Sequence, residues 1–274
     1  MPYATAKDGT RLYYKDWGTG PAVVLTHGWP LSSDTYDDVA LALAERGCRA
    51  IAPDRRGFGR SDQPWDGYDY DTFADDLVAV LLDAGVEGPI GLAGFSMGGG
   101  EVARFVSRNP GRVSRAALVA SVVPFLLQTD DHPEGAPREV FDGMVEGIAA
   151  DRPAFFDAFL KDFFGVGWMK HPVSDAVVRN AWRQAMMAGL KPTLACVRAF
   201  SETDFRPDLA NFTMPTLVIH GSDDRTVPID LTARAAAKAI PNARLVEYEG
   251  SAHGLFASDS KRLTGDLVEF FAAG

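Results

Sequence analysis

The stretch GFSMGGGEVARF, residues 94–105, carries one hydroxyl, Ser96, between Gly94 and Gly98 in a G-x-S-x-G pattern. A buried strand enters this pattern and a helix leaves it. That setting predicts a sharp turn whose glycines avoid collision and whose serine stands at a helix N-terminus, where free N–H groups and the dipole favour negative charge. Ser96 is therefore the candidate nucleophile. A serine hydroxyl is a poor nucleophile at neutral pH, so it needs a base, and the base needs an orienting carboxylate. Five histidines are available. His27 and His220 each end a strand-like run just before a glycine and read as buried, hydrogen-bonded histidines that shape loops, while His132 and His171 lie beside prolines in a helical region. His253, in EGSAHGLF after the last strand-like run, is the candidate base. The acid is expected from GSDDRTVP, which offers Asp223 and Asp224. Adjacent side chains in a turn point in different directions, so one of the two faces the histidine. Two N–H donors must also meet the oxygen of a tetrahedral intermediate, each worth about 3 kcal/mol. Met97, directly after the serine, supplies one. The other is expected from HGWPLSSD; Pro30 has no N–H, so Trp29 is the candidate.

These residues need a scaffold, and the chain outlines one. TRLYYKDW (10–17) and AVVLTH (22–27) read as strands joined at GTGP, which suits a hairpin and an antiparallel start to the sheet. A helix follows in SDTYDDVALALAERG, with Ser33 or Asp34 as cap, Leu41 and Ala44 on its apolar face and Gly47 as its stop. Next come strand CRAIAPD (48–54), a helix over 71–85, strand PIGLAGF (89–95), a helix over 97–108 and strand RAALVASVV (115–123). This alternation predicts a parallel sheet covered on both faces. Close packing of the 97–108 helix on the sheet accounts for Gly99 and Gly100. The rhythm stops between Pro124 and Met214, where helical stretches rich in Phe, Trp and Met follow one another without a strand. An insertion there is expected to cap the carboxyl ends of the strands, dividing the chain into a core of residues 1–123 and 214–274 and a cap of 124–213. Strand TLVIHG (216–221), a helix through LTARAAAKAI, strand ARLVEY (243–248) and a helix over 259–272 complete the pattern.

Composition narrows the function classes. The 274 residues are 46% hydrophobic, enough to bury a large core, and the net charge of −10 is spread without a single-sign block. Nucleic acid and anionic membrane are therefore not expected as partners. Cys48 and Cys196 are far apart, and no Cys/His cluster suggests a metal site or disulfide framework. No metal or haem cofactor is expected. The N-terminus shows no basic segment followed by an apolar one, and no run of about 18 apolar residues occurs, so a cytoplasmic protein is expected.

GFSMGGGEVARF, DWGTGPAVVLTHGWP, APDRRGFGRSDQPWDGYDYDTFADDL and SETDFRPDLANFTMPTLVIHG resemble the bacterial cofactor-free haloperoxidases and aryl esterases of the α/β-hydrolase superfamily, over residues 3–270. The resemblance implies an α/β-hydrolase fold: a mostly parallel eight-stranded sheet flanked by helices, with an all-helical cap inserted between strands 6 and 7. The order serine, acid, histidine agrees with it. It implies a triad of Ser96, Asp224 and His253, with backbone donors from Trp29 and Met97 and Asp223 as the alternative acid. Members of the family often carry Asp where this chain has Ser222. The implied activities are hydrolysis of small esters, perhydrolysis, in which hydrogen peroxide takes the acyl group as a peracid, and halide oxidation by that peracid; some relatives open small lactams. Pro30 restricts the backbone of Trp29, so the Trp29 carbonyl is expected to accept a hydrogen bond from peroxide. Trp29, Pro30, Phe125, Phe141 and Phe159 are the candidate pocket residues, with Phe156, Trp182 and Phe200 as further aromatics. Homo-oligomers are common among the proteins it resembles. A haloalkane dehalogenase needs a carboxylate where Ser96 stands. A non-catalytic ligand receptor on the same scaffold is the competing class, against which the intact Ser, Asp and His argue.

Overall fold

A computed structural model describes residues 2–272. The strands are β1 (Tyr3–Thr5), β2 (Arg11–Gly18), β3 (Ala22–Thr26), β4 (Arg49–Pro53), β5 (Ile90–Phe95), β6 (Val113–Val119), β7 (Thr216–Gly221) and β8 (Ala243–Tyr248). They form one sheet of order β1-β2-β4-β3-β5-β6-β7-β8. β1 and β2 are antiparallel to their neighbours, and the sheet is parallel from β4 to β8. Every residue of β5 and β7 is buried, as expected for parallel strands covered on both faces. The helices are α1 (Asp37–Glu45), α2 (Tyr70–Asp83), α3 (Met97–Arg108), α4 (Arg138–Phe163), α5 (Asp175–Met187), α6 (Leu190–Glu202), α7 (Ala233–Ala239), α8 (Leu255–Ser258) and α9 (Ser260–Ala272). Among the described residues, no helix is long and apolar enough to cross a membrane.

The parallel part of the sheet follows the expected alternation closely, and the departures have local causes. β2 and β3 are not a hairpin pair: β4 lies between them, antiparallel to β2 and parallel to β3. The antiparallel start arises instead from β1–β2 and β2–β4. The Ser33–Tyr36 segment winds as a 3₁₀ turn capped by Ser32, so neither Ser33 nor Asp34 caps α1. Leu41 faces solvent, and Val39, Ala40 and Leu43 form the buried stripe. β6 ends at Val119 rather than 123, because Ala120 adopts φ +43° and breaks the extended backbone. Gly99 and Gly100 are indeed close-packed, but against the Ser121 side chain and the Tyr70 and Phe205 rings rather than the sheet. α4, α5 and α6 all fall between β6 and β7, and α4 is kinked at Asp151, two residues before Pro153.

Candidate active site

Ser96 joins β5 to α3 with φ 54° and ψ −119°, a conformation that ordinary L-residues avoid. The flanking glycines allow it. A Cβ on Gly94 would lie 2.2 Å from the Gly98 carbonyl oxygen, and one on Gly98 would lie 2.3 Å from that of Thr26. The Ser96 N–H donates to the Val119 carbonyl at 2.8 Å, fixing the turn to the end of β6.

β7 and β8 deliver the partners. Gly221 and Tyr248 are in register at the strand ends, and the loops beyond them are laced together. The Ser222 N–H donates to the Tyr248 carbonyl, the Asp223 N–H to that of Ser251, and the Gly250 N–H to Ser222 Oγ, at 2.8–3.0 Å. His253 Nε2 thereby lies 2.9 Å from Ser96 Oγ, and its Nδ1 lies 2.6 Å from Asp224 Oδ2. All three residues are buried. The imidazole packs between the rings of Phe95 and Phe163, with centroids at 5.1 and 4.8 Å. Asp223 does not take part: it is half exposed, 3.7 Å from Lys170 Nζ and 3.5 Å from Arg225 Nε.

Four donors saturate the Asp224 carboxylate. Oδ1 accepts the N–H groups of Thr226 (3.0 Å) and Val227 (2.8 Å); Oδ2 meets His253 Nδ1 and, at 3.1 Å, His220 Nε2. His220 Nε2 also lies 2.8 Å from the Val227 carbonyl, so it carries the proton. Burial alone would raise the Asp224 pKa. Electrostatic attraction to the His253 ring and the hydrogen bonds from His220 and His253 outweigh it and hold the carboxylate well below its usual range. The loop-shaping reading of His220 missed this contact, although its i, i+4 spacing to Asp224 at the end of a buried strand was a visible signal.

Thr26 of β3 pairs with Gly94 of β5, so Trp29 and Met97 each lie three residues beyond a matched pair. The loop carrying Trp29 runs against Ser96: a Cβ on Gly28 would lie 3.0 Å from Ser96 Cβ. Among the described residues, neither the Trp29 nor the Met97 backbone N–H finds a protein acceptor. The Trp29 indole Nε1 donates to the Thr193 carbonyl of α6 at 3.1 Å, and its rings touch Phe156, Phe159 and Phe200. His27 holds the other side of this loop. Its Nδ1 lies 2.9 Å from the Gly28 carbonyl, and its Nε2 accepts the Arg55 N–H at 2.9 Å. Burial, aided by Arg55, lowers its pKa to about 3, so the ring is neutral.

Ser96 and His253 open into a cavity of about 690 Å³. Trp29, Phe141, Phe159 and Phe200 line it, together with Val122, Leu126 and Met144, which the sequence did not single out. Asp162, Lys170, Asp223 and Arg225 add charge to the lining. The other pocket candidates are elsewhere. Phe125 packs against His132 and under Arg206, Phe156 is fully buried behind Trp29, and the Trp182 indole N–H donates to the Pro153 carbonyl. Pro30 is buried and does not line the cavity.

The sequence pattern of the family described as the alpha/beta hydrolase fold matches residues 21–260. The chain belongs to the α/β-hydrolase family. It is 44% identical to the non-heme chloroperoxidase CPO-A1 of Kitasatospora aureofaciens, over 98% of this chain and 99% of that one. Its identity to the bifunctional esterase/perhydrolase DCH of Acinetobacter calcoaceticus is 41%, with the same coverage. The crystal structure of a bromoperoxidase from Bacillus anthracis superposes with a TM-score of 0.93 at 43% identity, covering 98% of this chain and 99% of that chain. This α/β-hydrolase therefore matches, over 98% of its length, proteins named for halide oxidation and for ester chemistry.

Proposed function

We propose that the protein is a serine hydrolase of small carboxylic esters that also passes the acyl group to hydrogen peroxide. The observation that carries this reading is the unbroken relay from Asp224 through His253 to Ser96, at 2.6 and 2.9 Å, opening into a cavity lined mostly by apolar side chains. His253 Nε2 takes the Ser96 proton as Oγ attacks the ester carbonyl, and Asp224 holds the imidazole with Nδ1 protonated and steadies its positive charge. The Trp29 and Met97 N–H groups receive the oxyanion. The leaving alcohol takes the proton from His253 and an acyl-Ser96 remains. Water attacking this ester, with His253 as base, releases the acid and frees Oγ; hydrogen peroxide attacking in the same way releases a peracid. The peracid then transfers one oxygen to a halide ion outside the enzyme, giving the carboxylate and a hypohalous acid. Relatives named chloroperoxidase and esterase/perhydrolase support the peroxide branch. Pro30, by restricting the Trp29 backbone, keeps the Trp29 carbonyl available to the incoming peroxide.

In the same reading residues 124–213 act as a cap over a core of 1–123 and 214–274, supported by the cavity lining that α4 and α6 contribute through Phe141, Phe159 and Phe200. A cytoplasmic location is part of the proposal, supported by two free, buried thiols. The test compares the parent and Ser96→Ala for p-nitrophenyl acetate hydrolysis and for peracid formation from acetate and hydrogen peroxide. Both activities are expected in the parent and neither in the variant. A parent without either activity, or a Ser96→Ala variant that keeps them, overturns the reading.

A further inference from the structure

Arg55 follows β4, yet its contacts lie on the two backbone segments that carry the proposed oxyanion donors. Its Nη2 donates to the His27 carbonyl at 2.6 Å, two residues before Trp29. Its Nε donates to Glu101 Oε1, one turn into the helix that Met97 begins. Its backbone N–H holds the His27 ring. Arg55 and Glu101 are both buried, and the guanidinium packs on the rings of Phe58 and Phe73.

Stability explains this arrangement poorly. A buried ion pair is commonly replaced by well-packed apolar residues of similar volume without loss of stability. Here, moreover, Arg55 Nη1 is buried with no partner among the described residues. The geometry does something an apolar pair cannot: one rigid planar group fixes the distance between the loop of Trp29 and the start of α3.

We propose that Arg55 and Glu101 are positioning residues that set the spacing of the two oxyanion donors, acting through the His27 carbonyl and the first turn of α3. This rests on the serine-hydrolase reading above. A donor displaced by about 1 Å costs up to about 100-fold in rate, so loss of the clamp is expected to lower kcat by about 10- to 100-fold and to leave KM within about 2-fold.

The test uses p-nitrophenyl acetate kinetics and thermal unfolding of the parent, Arg55→Met, the double variant Arg55→Met/Glu101→Leu, and Ser96→Ala. Arg55→Met leaves Glu101 buried and unpaired and is expected to lose both Tm and kcat. The double variant removes both charges; its Tm is expected to recover towards the parent's while kcat stays about 10- to 100-fold low. Recovery of kcat together with Tm overturns the inference. If the double variant does not fold, Arg55→Lys decides. An ammonium cannot hold Glu101 and the His27 carbonyl at the two fixed angles of the guanidinium, so kcat is expected to fall at least about 10-fold; a parental kcat overturns the inference. Ser96→Ala separates the two readings: residual turnover there removes the serine-hydrolase reading, whereas an inactive Ser96→Ala beside a fully active double variant removes only the clamp.

Discussion

Replacing Asp224 with Asn changes one atom and is predicted to invert the histidine relay. The orientation of the new amide follows from the four donors around the carboxylate. With its nitrogen at the Oδ1 position, the amide would face two backbone N–H groups, those of Thr226 and Val227, at 3.0 and 2.8 Å. With its nitrogen at Oδ2 it faces one competing donor, His220 Nε2, and otherwise only His253 Nδ1, which can become an acceptor by moving its proton to Nε2. The second orientation has fewer clashes and prevails. His253 Nε2, 2.9 Å from Ser96 Oγ, then carries a hydrogen and cannot take another proton from the serine. A mis-set tautomer of this kind costs about 10⁴-fold in kcat, or about 5 kcal/mol of transition-state stabilisation. The assay is kcat and KM for p-nitrophenyl acetate with Tm measured in parallel: kcat falls by about that factor while KM stays close to the parent's. A loss of less than about 10-fold in a folded Asp224→Asn enzyme would refute the reasoning, because it would mean that the 2.6 Å contact does not control the proton on His253.

Four further outcomes are expected. His220→Phe removes a hydrogen bond to the buried Asp224 carboxylate and lowers stability by about 1.5–3 kcal/mol in urea unfolding, whereas His220→Gln, which retains an N–H donor, loses about half of that or less. His27 has its pKa lowered from 6.5 to about 3 in the folded protein, so between these values the unfolded chain binds the extra proton and stability falls as pH falls. In His27→Gln the slope of unfolding free energy against pH, measured between pH ~4 and ~6, therefore decreases by about 1.4 kcal/mol per pH unit; an unchanged slope would show that His27 is protonated in the fold. Gly94→Ala drives a Cβ to 2.2 Å from the Gly98 carbonyl oxygen, and a loss of about 3 kcal/mol or more is expected by thermal unfolding, together with most of the activity. Pro30→Leu lowers peracid formation from acetate relative to p-nitrophenyl acetate hydrolysis; an unchanged ratio removes Pro30 from the choice between water and peroxide.

The residues around Ser96 could be read from the sequence because each was tied to a strand end. A turn between a buried strand and a glycine-rich helix, an acid after the next-to-last strand and a histidine after the last are features of order along the chain, and order survives without coordinates. What pairs across space did not survive. GTGP between two strands has hairpin chemistry, but only the assembled sheet reveals that β4 intervenes. The adjacent Asp223 and Asp224 are separated only by the lacing of the β7 and β8 loops, which aims Asp224 at His253 and leaves Asp223 beside Lys170 and Arg225. The aromatics of residues 124–213 looked alike in sequence, yet Phe141, Phe159 and Phe200 face the cavity while Phe125 and Phe156 pack away from it. In a helical layer that is apolar on both its core and cavity sides, composition does not separate the two. The Arg55 contacts to Glu101 and His27 join segments 46 and 28 residues away in sequence, and no local pattern announces them.

The central claim is that Ser96 Oγ is the nucleophile of this α/β-hydrolase. Stoichiometric reaction with a serine-directed fluorophosphonate, followed by peptide mass spectrometry and assay of residual p-nitrophenyl acetate hydrolysis, tests it most directly. One adduct on the peptide containing Ser96, with activity lost in proportion to labelling and no adduct in Ser96→Ala, is the predicted result. An adduct on another residue, or full labelling of Ser96 with activity retained, would contradict it.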